Sequence, residues 1–130
     1  MQPFSIHSRL KYQLLIKIGS TMNLLSRSEE IILLTILKLG EEAYGVQIRE
    51  QIFNDTGDTW SFASIYTPLD KLTRKEFVYK IKGAPSPERG GKSKFYYKVT
   101  DEGIQALREI QEAQKQIWSG IPDILATDNK

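Results

Sequence analysis

The sequence lacks cysteine altogether and has one histidine among its 130 residues. Without cysteine the chain has no disulfide, no thiolate nucleophile and no cysteine ligand for zinc or an iron–sulfur cluster. The lone histidine, His7, has no second imidazole with which to share a metal ion or a proton. These absences exclude most redox and imidazole chemistry, and they favour a protein of the reducing cytoplasm.

Long hydrophobic runs are also missing. The longest uncharged apolar stretch, residues 31–37, has seven residues, whereas a membrane-spanning helix needs about 20. Near the N-terminus, Lys17 interrupts the apolar run that a secretory signal requires. The composition, 40% hydrophobic and 26% charged, is that of one ordinary globular domain, and we expect no membrane partner.

A net charge of +2 conceals an uneven distribution along the chain. Residues 71–98, the basic block, contain nine basic and two acidic side chains, a net charge of +7. Residues 1–21 carry +3, residues 22–70 carry −5 and residues 99–130 carry −3. A basic block on an otherwise acidic protein is typical of a surface that meets a polyanion. The alternative interpretation is a solvated charged face.

Charge and hydrophobic patterning divide the chain into four predicted segments. Residues 1–21 form a basic N-terminal extension, in which Leu10, Leu14 and Ile18 recur at the spacing of a weakly amphipathic helix. The other segments are a main domain, a C-terminal helix and a tail, at residues 22–99, 100–122 and 123–130.

Two helices are predicted before the basic block. Ser26 and Glu29 have the spacing of a capping box, and an apolar run follows until Gly40 ends the first helix. The apolar residues surround this helix, so we expect it to be central or to be covered on a second side by another chain. The second helix ends in the polar run at residues 54–58, and its apolar residues are Tyr44, Val46, Ile48, Ile52 and Phe53.

A third helix and two strands are predicted next. Ser61 is a suitable N-cap, and Pro68 is unfavourable inside the helix that follows, although the apolar stripe extends on both sides of it. Alternating residues at 77–82 and 94–99 predict an antiparallel hairpin, whose connection at 83–93 is rich in glycine and proline. The residues that the third helix is predicted to bury are Phe62, Ile65, Leu69 and Leu72.

Thr100 is predicted to cap a final helix. Along it a seam of side chains steps by three and four residues, which is about two heptads and too short for an independent coiled coil. Pro122 lies just beyond the predicted end of the helix. The seam consists of Leu107, Ile110, Gln114, Ile117 and Ile121, with Trp118 beside it.

The predicted order of three helices, a strand, a basic loop, a strand and a helix matches a winged helix-turn-helix, a mainly α (α+β) fold with a two-stranded wing. In such a fold the third helix enters the major groove, where small hydroxyl side chains reach base edges and basic side chains meet phosphates. Taken singly, each candidate also fits a surface or packing role, but together with the basic block they favour nucleic acid. The candidate DNA-binding residues are Ser64, Tyr66, Thr67, Lys71 and Arg74 on the helix, and Arg89, Lys92 and Lys94 on the wing.

The sequence offers poor support for an enzyme. Residues 91–93 are similar to the end of a phosphate-binding loop, but Ser86 stands where the first glycine is required. Adjacent carboxylates such as Glu29 and Glu30 fall at helix starts or in a turn, where capping and solubility explain them. We therefore expect no catalytic residue, no metal site and no cofactor.

Three stretches resemble the PadR family of bacterial transcriptional regulators. They are Tyr44-Gly45 at the start of the second helix, SIYTPLDKL at residues 64–72 and FYYKVTDEG at residues 95–103. The resemblance covers residues 26–121, and the single short C-terminal helix resembles that of the small subfamily. It implies a dimeric winged-helix repressor that pairs through its C-terminal helix with help from an N-terminal one. It also implies that some members respond to small aromatic effectors.

On that resemblance, the C-terminal seam is the predicted dimer interface. Trp118 is interpreted as part of the interface core, and the alternative is a platform on which an aromatic effector stacks. We predict a cytoplasmic homodimer that represses transcription from a two-fold related operator. The second hypothesis is a winged helix that binds an acidic protein and has no sequence-specific DNA binding.

Overall fold

The structure is a computed structural model that describes residues 25–85, 87 and 90–123. The predicted N-terminal helix, the wing residue Arg89 and the tail beyond Asp123 lie outside these ranges. Within them, the order of elements confirms the prediction of three helices, a hairpin and a final helix. The elements are α1 (Arg27–Leu39), a short 3-10 helix (Gly40–Glu42), α2 (Gly45–Thr56), α3 (Phe62–Arg74), β1 (Val78–Pro85), β2 (Ser93–Val99) and α4 (Asp101–Trp118).

The capping box predicted for α1 is present. The Ser26 hydroxyl accepts a hydrogen bond from the Glu29 backbone N–H, and the Glu29 carboxylate accepts one from the Ser26 N–H. Gly40 follows the last residue of the helix, as predicted. Both ends of α1 are therefore set by residues next to it in the sequence.

α1 is the central helix of the domain. It contacts α2, α3, β2 and α4, and it buries Ile32, Leu33 and Ile36 in the core. On its other side Leu34 and Leu37 are exposed. The prediction of a central helix with apolar residues on more than one side is confirmed.

α3 continues through Pro68 to Arg74. The Ser61 hydroxyl caps it by accepting a hydrogen bond from the Ser64 N–H. Proline removes one backbone donor, but its fixed φ is compatible with a helix, and the buried stripe on both sides of Pro68 holds the helix to the core. That stripe consists of Ile65, Leu69 and Leu72, which are fully buried.

The prediction that Phe62 is buried is wrong. Its side chain is 46% exposed. Phe62 is the first residue of α3, and at 100° per residue it projects about 60° away from Ile65, the first residue of the buried stripe. The ring therefore lies against α2, where it meets Arg49, and does not enter the core.

The wing is an antiparallel hairpin, as predicted. At its base Val78 is opposite Val99, and toward its tip Pro85 is opposite Ser93. The strands extend farther toward the tip than predicted, since β1 continues to Pro85 and β2 begins at Ser93. The base of the hairpin is buried on the core, whereas most of β1 is exposed.

One carboxylate is buried beside the core. Glu29 is 3% exposed, and its Oε2 lies 2.8 Å from the Lys75 Nζ at the end of α3. Burial raises the pKa of Glu29, but hydrogen bonds from Lys75 and Ser26 and the Lys75 charge outweigh that effect and lower the pKa overall. The charged pair therefore ties the start of α1 to the end of α3.

α4 ends at Trp118, whereas the prediction extended to residue 122. Ser119 has an extended backbone and Gly120 has a φ of 81°, so the chain leaves the helical path before Ile121. Ile121 is therefore not part of the helical seam, and this part of the prediction is corrected. The seam within the helix consists of Leu107, Ile110, Gln114 and Ile117, with Trp118 beside it.

Candidate nucleic-acid interface

The side of α3 that faces away from the buried stripe is exposed and polar. Its first turn carries the small side chains of Ala63 and Ser64, and the Ser64 hydroxyl lies 2.9 Å from that of the capping Ser61. Cations follow in the last turn of the helix. Four of the predicted DNA-binding residues are exposed together on this outer side, namely Ser64, Thr67, Lys71 and Arg74.

Tyr66 connects α3 to the start of α2. Its ring is partly exposed, and its hydroxyl lies against Gly45, the first residue of α2. A Cβ at residue 45 would collide with this hydroxyl, so the contact requires glycine. Tyr66 therefore positions α3 against α2, and this contact explains why residue 45 of the Tyr44-Gly45 pair is glycine.

Sequence reasoning missed two side chains next to Tyr66. The Phe62 ring stacks with the Tyr66 ring at a centroid distance of 6.4 Å and an interplanar angle of 23°. The Arg49 guanidinium of α2 lies 4.7 Å from the Phe62 ring centroid, and its Nε donates a 2.6 Å hydrogen bond to the Trp60 carbonyl. The one signal in the sequence is that Phe62 directly follows the helix cap Ser61, at the end of the apolar stripe, whereas helical spacing alone places it in the core.

The wing is attached to the chain just before α2. The Tyr97 N–H donates a 2.8 Å hydrogen bond to the Ala43 carbonyl. The Tyr44 and Tyr96 rings meet edge to face with centroids 5.4 Å apart, and the Lys94 ammonium lies 4.2 Å from the Tyr44 ring centroid. Because the same end of α2 also contacts α3, the wing and α3 have a common support.

The basic block contains both paired and unpaired cations. Lys75 forms its salt bridge with Glu29, and Lys98 forms one with Glu41 at 2.6 Å. These two cations contribute to contacts within the fold. Six other basic residues of the block make no salt bridge to a carboxylate in the described ranges, and they are Lys71, Arg74, Lys80, Lys82, Lys92 and Lys94.

A cleft of about 320 Å³ lies between α3 and the wing. Tyr66 and Asp70 of α3 line it, together with Lys80 and Lys94 of the hairpin. Tyr97 also lines the cleft, and burial raises the pKa of its hydroxyl to about 12, with contributions from Tyr66 and Asp70. At neutral pH this hydroxyl stays protonated, so the cleft offers hydroxyls, ammonium groups and one carboxylate.

A second surface lies between α1 and α4. The Gln114 amide of α4 lies 3.4 Å from the Glu30 carboxylate of α1 there, and Ile110 of the seam is half-buried. Ile117 and Trp118 are 72% and 59% exposed. A groove of about 290 Å³ joins the two helices, and its apolar lining is Leu34, Leu37, Ile104 and Leu107.

The described ranges contain no cluster of three or more side chains that could hold a metal ion. None of the helices described is long and apolar enough to span a membrane. The surface around α3 and the wing instead combines hydroxyls, cations and aromatic rings, which are the groups that contact phosphates and bases. Lys94 lies at the base of this surface and Lys92 nearer the tip of the wing, while Arg89 is outside the described residues.

Three solved structures of transcriptional regulators are similar to this fold. A PadR-like regulator from Bacillus cereus has 23% identity and a TM-score of 0.60, over 77% of this chain and 92% of that one. A regulator from Clostridium thermocellum has 20% identity and a TM-score of 0.62, over 75% and 89%. A PadR family regulator from Eggerthella lenta has 20% identity and a TM-score of 0.59, over 94% and 97%. These similarities show a shared winged-helix fold.

Sequence comparison identifies the family directly. No curated protein sequence matches the chain. The Transcriptional regulator PadR-like family matches residues 33–109, which is more than half of the chain and includes α2, α3 and the whole hairpin. These are the elements that build the surface described above. The chain therefore belongs to the PadR-like family of transcriptional regulators.

Proposed function

We propose that the protein is a cytoplasmic, homodimeric repressor that binds a two-fold related DNA operator. The exposed outer side of α3 is the observation that carries the proposal. It presents Ser64 and Thr67, whose hydroxyls suit base edges, followed by Lys71 and Arg74, which suit phosphates. Tyr66 contributes mainly by fixing the helix, since its hydroxyl lies against α2.

The wing provides the second set of contacts in this proposal. Lys92 and Lys94 are not engaged by described carboxylates, and Arg89 lies between the strands in the sequence. Basic side chains on a hairpin reach the DNA backbone or the minor groove beside a recognition helix. The common support of α3 and the wing on α2 favours simultaneous binding of both elements.

A second copy of the chain is the proposed partner of the groove between α1 and α4. Regulators of this family bind DNA and are typically dimeric. The exposed side chains of Ile117 and Trp118 continue the apolar surface of that groove, and burial of such side chains between two copies stabilises a dimer. Two copies of α3 would then enter successive major grooves about 34 Å apart.

A small aromatic effector that relieves repression is a further part of the proposal. The exposed indole of Trp118 offers an apolar face on which a planar ring can stack. We expect titration with small aromatic compounds to quench Trp118 fluorescence, measured in a Trp60→Phe variant so that one indole reports. Unchanged fluorescence across the series would favour the interpretation of Trp118 as interface core alone.

The salt dependence of DNA binding tests the function. We expect the affinity for random-sequence duplex DNA to fall steeply with salt, because each phosphate contact releases counterions. A double variant, Lys71→Ala with Arg74→Ala, should weaken binding and reduce the slope of log affinity against log salt by about two. The measurement is fluorescence anisotropy over a series of salt concentrations.

The matched control removes two cations elsewhere. Arg27→Ala with Lys38→Ala changes the net charge equally, but it disrupts ion pairs in which the basic side chains of α1 are exposed and which contribute little to stability. This control should leave the salt slope unchanged. Weak binding to every duplex, with no dependence on salt, would contradict the proposal and favour a winged helix that binds an acidic protein.

A further inference from the structure

The Phe62 ring is held in place although it lies outside the core. It is 46% exposed, while Ile65 one turn later is fully buried. The Phe62 ring stacks with the Tyr66 ring, and the Arg49 guanidinium lies over the Phe62 ring. Arg49 is itself anchored by its hydrogen bond to the Trp60 carbonyl. Phe62 is therefore an apolar surface of fixed orientation, since contacts within the chain limit its rotation.

The position of this ring places it at the rim of the proposed DNA-reading surface. Phe62 is the first residue of α3, and the early turns of a recognition helix are the part that approaches base edges. Next to it Ala63 has a small side chain that allows the helix to come close to the groove floor. Phe62, which contacts Arg49 of α2, lies on the α2 side of that approach.

The chemistry of Phe62 limits what it can recognise in a major groove. A phenyl ring has no hydrogen-bond donor or acceptor, so it cannot pair with a phosphate or with the polar edge of a base. The 5-methyl group of thymine is the apolar group exposed in the major groove, and phenylalanine is among the side chains that contact it. A ring of fixed orientation favours such a contact, because little side-chain entropy is lost on binding.

We infer that Phe62 contacts the 5-methyl group of a thymine at the edge of each operator half-site and is a specificity-determining residue. This inference rests on the proposed DNA binding. It adds a preference for one base at one position, and it assigns that preference to a residue that lies outside both the basic block and the hydroxyl-bearing side of α3.

Replacement of thymine by deoxyuridine tests the inference, because it removes only the methyl group. A random-sequence duplex library is first selected with the wild-type protein to obtain an enriched half-site. Each thymine of that half-site is then replaced singly by deoxyuridine. For the wild-type protein we expect about a fourfold loss of affinity at one position, the value for one buried methyl group. Phe62→Ala should bind more weakly and show no loss at that position, and Phe62→Leu should retain part of it.

Phe53→Ala is the matched control, since Phe53 is an equally exposed aromatic residue near the other end of α2. This variant should keep the fourfold loss at the same thymine. If the wild-type protein enriches no sequence, the proposed function itself fails. If a sequence is enriched but no thymine responds to deoxyuridine, or if Phe62→Ala responds as the wild type does, the inference about Phe62 is overturned while DNA binding stands.

Discussion

The two halves of α4 are covered in very different ways. In the first half, Gly103 and Ala106 are buried, and Gly103 lies against the Phe77 carbonyl. In the second half Ile117 and Trp118 are 72% and 59% exposed. A helix whose last turns leave apolar side chains exposed offers those side chains a favourable contact with another molecule. The first half of α4 therefore belongs to the fold, and the exposed second half is the part that the proposed dimer would bury.

The aromatic side chains around α3 differ from both halves of α4, because they are exposed and yet fixed by contacts with their own chain. Tyr66 lies against Gly45, and Phe62 lies beneath Arg49. At the end of α4, by contrast, Trp118 is beside a chain that turns away at Ser119. Phe62 and Tyr66 are thus exposed in a different way from Trp118. The two that are fixed by their own chain suit recognition of a ligand of defined shape, and Trp118 at the helix end suits burial by a second copy.

The largest expected effect comes from charges placed in the second half of α4. Ile117→Asp with Trp118→Asp should convert the proposed dimer to a monomer, because each side chain contributes about 2 kcal/mol on burial and two-fold symmetry counts each twice. Sedimentation velocity measures the result. Thermal unfolding of the variant should remain cooperative, since neither side chain is in the core.

Gln116→Asp adds a charge to the same part of α4 and is the control for that experiment. It should leave the sedimentation coefficient unchanged if the apolar seam forms the interface. A double variant that sediments as the wild type does would contradict the assignment of the second half of α4 to dimer formation.

The next effect concerns the first half of α4. Gly103→Ala should destabilise the fold by about 2 kcal/mol, because the added Cβ would collide with the Phe77 carbonyl and approach Val99 Cγ1. This outcome is opposite in sign to the usual gain in stability of about 1 kcal/mol when alanine replaces glycine inside a helix. We expect the midpoint of thermal unfolding to fall by about 10 °C.

Gln116→Ala provides the comparison, since it raises helix propensity in the exposed half of α4 without adding a core contact. Its melting temperature should equal that of the wild type or exceed it slightly. If Gly103→Ala were as stable as the wild type, the close packing of the first half of α4 on the sheet would be refuted.

The sequence predicts those parts of the fold that depend on neighbouring residues. Ser26, Ser61 and Thr100 cap their helices as predicted, because a capping hydroxyl acts on a backbone group three residues away. The exposed outer side of α3 was also predictable, since helical periodicity separates it from the buried stripe. These predictions need no knowledge of the tertiary structure.

Other features depend on contacts between distant residues and escape sequence reasoning. The Tyr66 hydroxyl meets Gly45 across 21 positions of the chain, and Phe62 meets Arg49 of another helix. Periodicity placed Phe62 in the core because it lies three residues before Ile65, but along α3 the buried stripe begins one turn later than the apolar pattern does. The end of α4 was missed for a similar reason, since an apolar Ile121 continues the pattern after the helix has stopped.

The smallest expected effect concerns α1, which, like α4, combines a buried part with an exposed part. Near the start of α1, Glu29 has a pKa below its ordinary value of 4.5, because hydrogen bonds from Lys75 and Ser26 and the Lys75 charge outweigh the opposing effect of burial. A carboxyl with a lowered pKa stabilises the fold above the pKa of the unfolded chain, and that stability is lost as the pH falls through the pKa of the folded state.

Wild-type protein should therefore lose stability below about pH 4.5 more steeply than Glu29→Gln, with a difference of roughly 1 kcal/mol. Urea unfolding between pH 3 and 7 measures this, with the exposed Glu50→Gln as control. Parallel pH profiles for wild type and Glu29→Gln would show that the Glu29–Lys75 pair does not stabilise the packing of α1 on α3. The buried side of α1 would then be held by apolar packing alone.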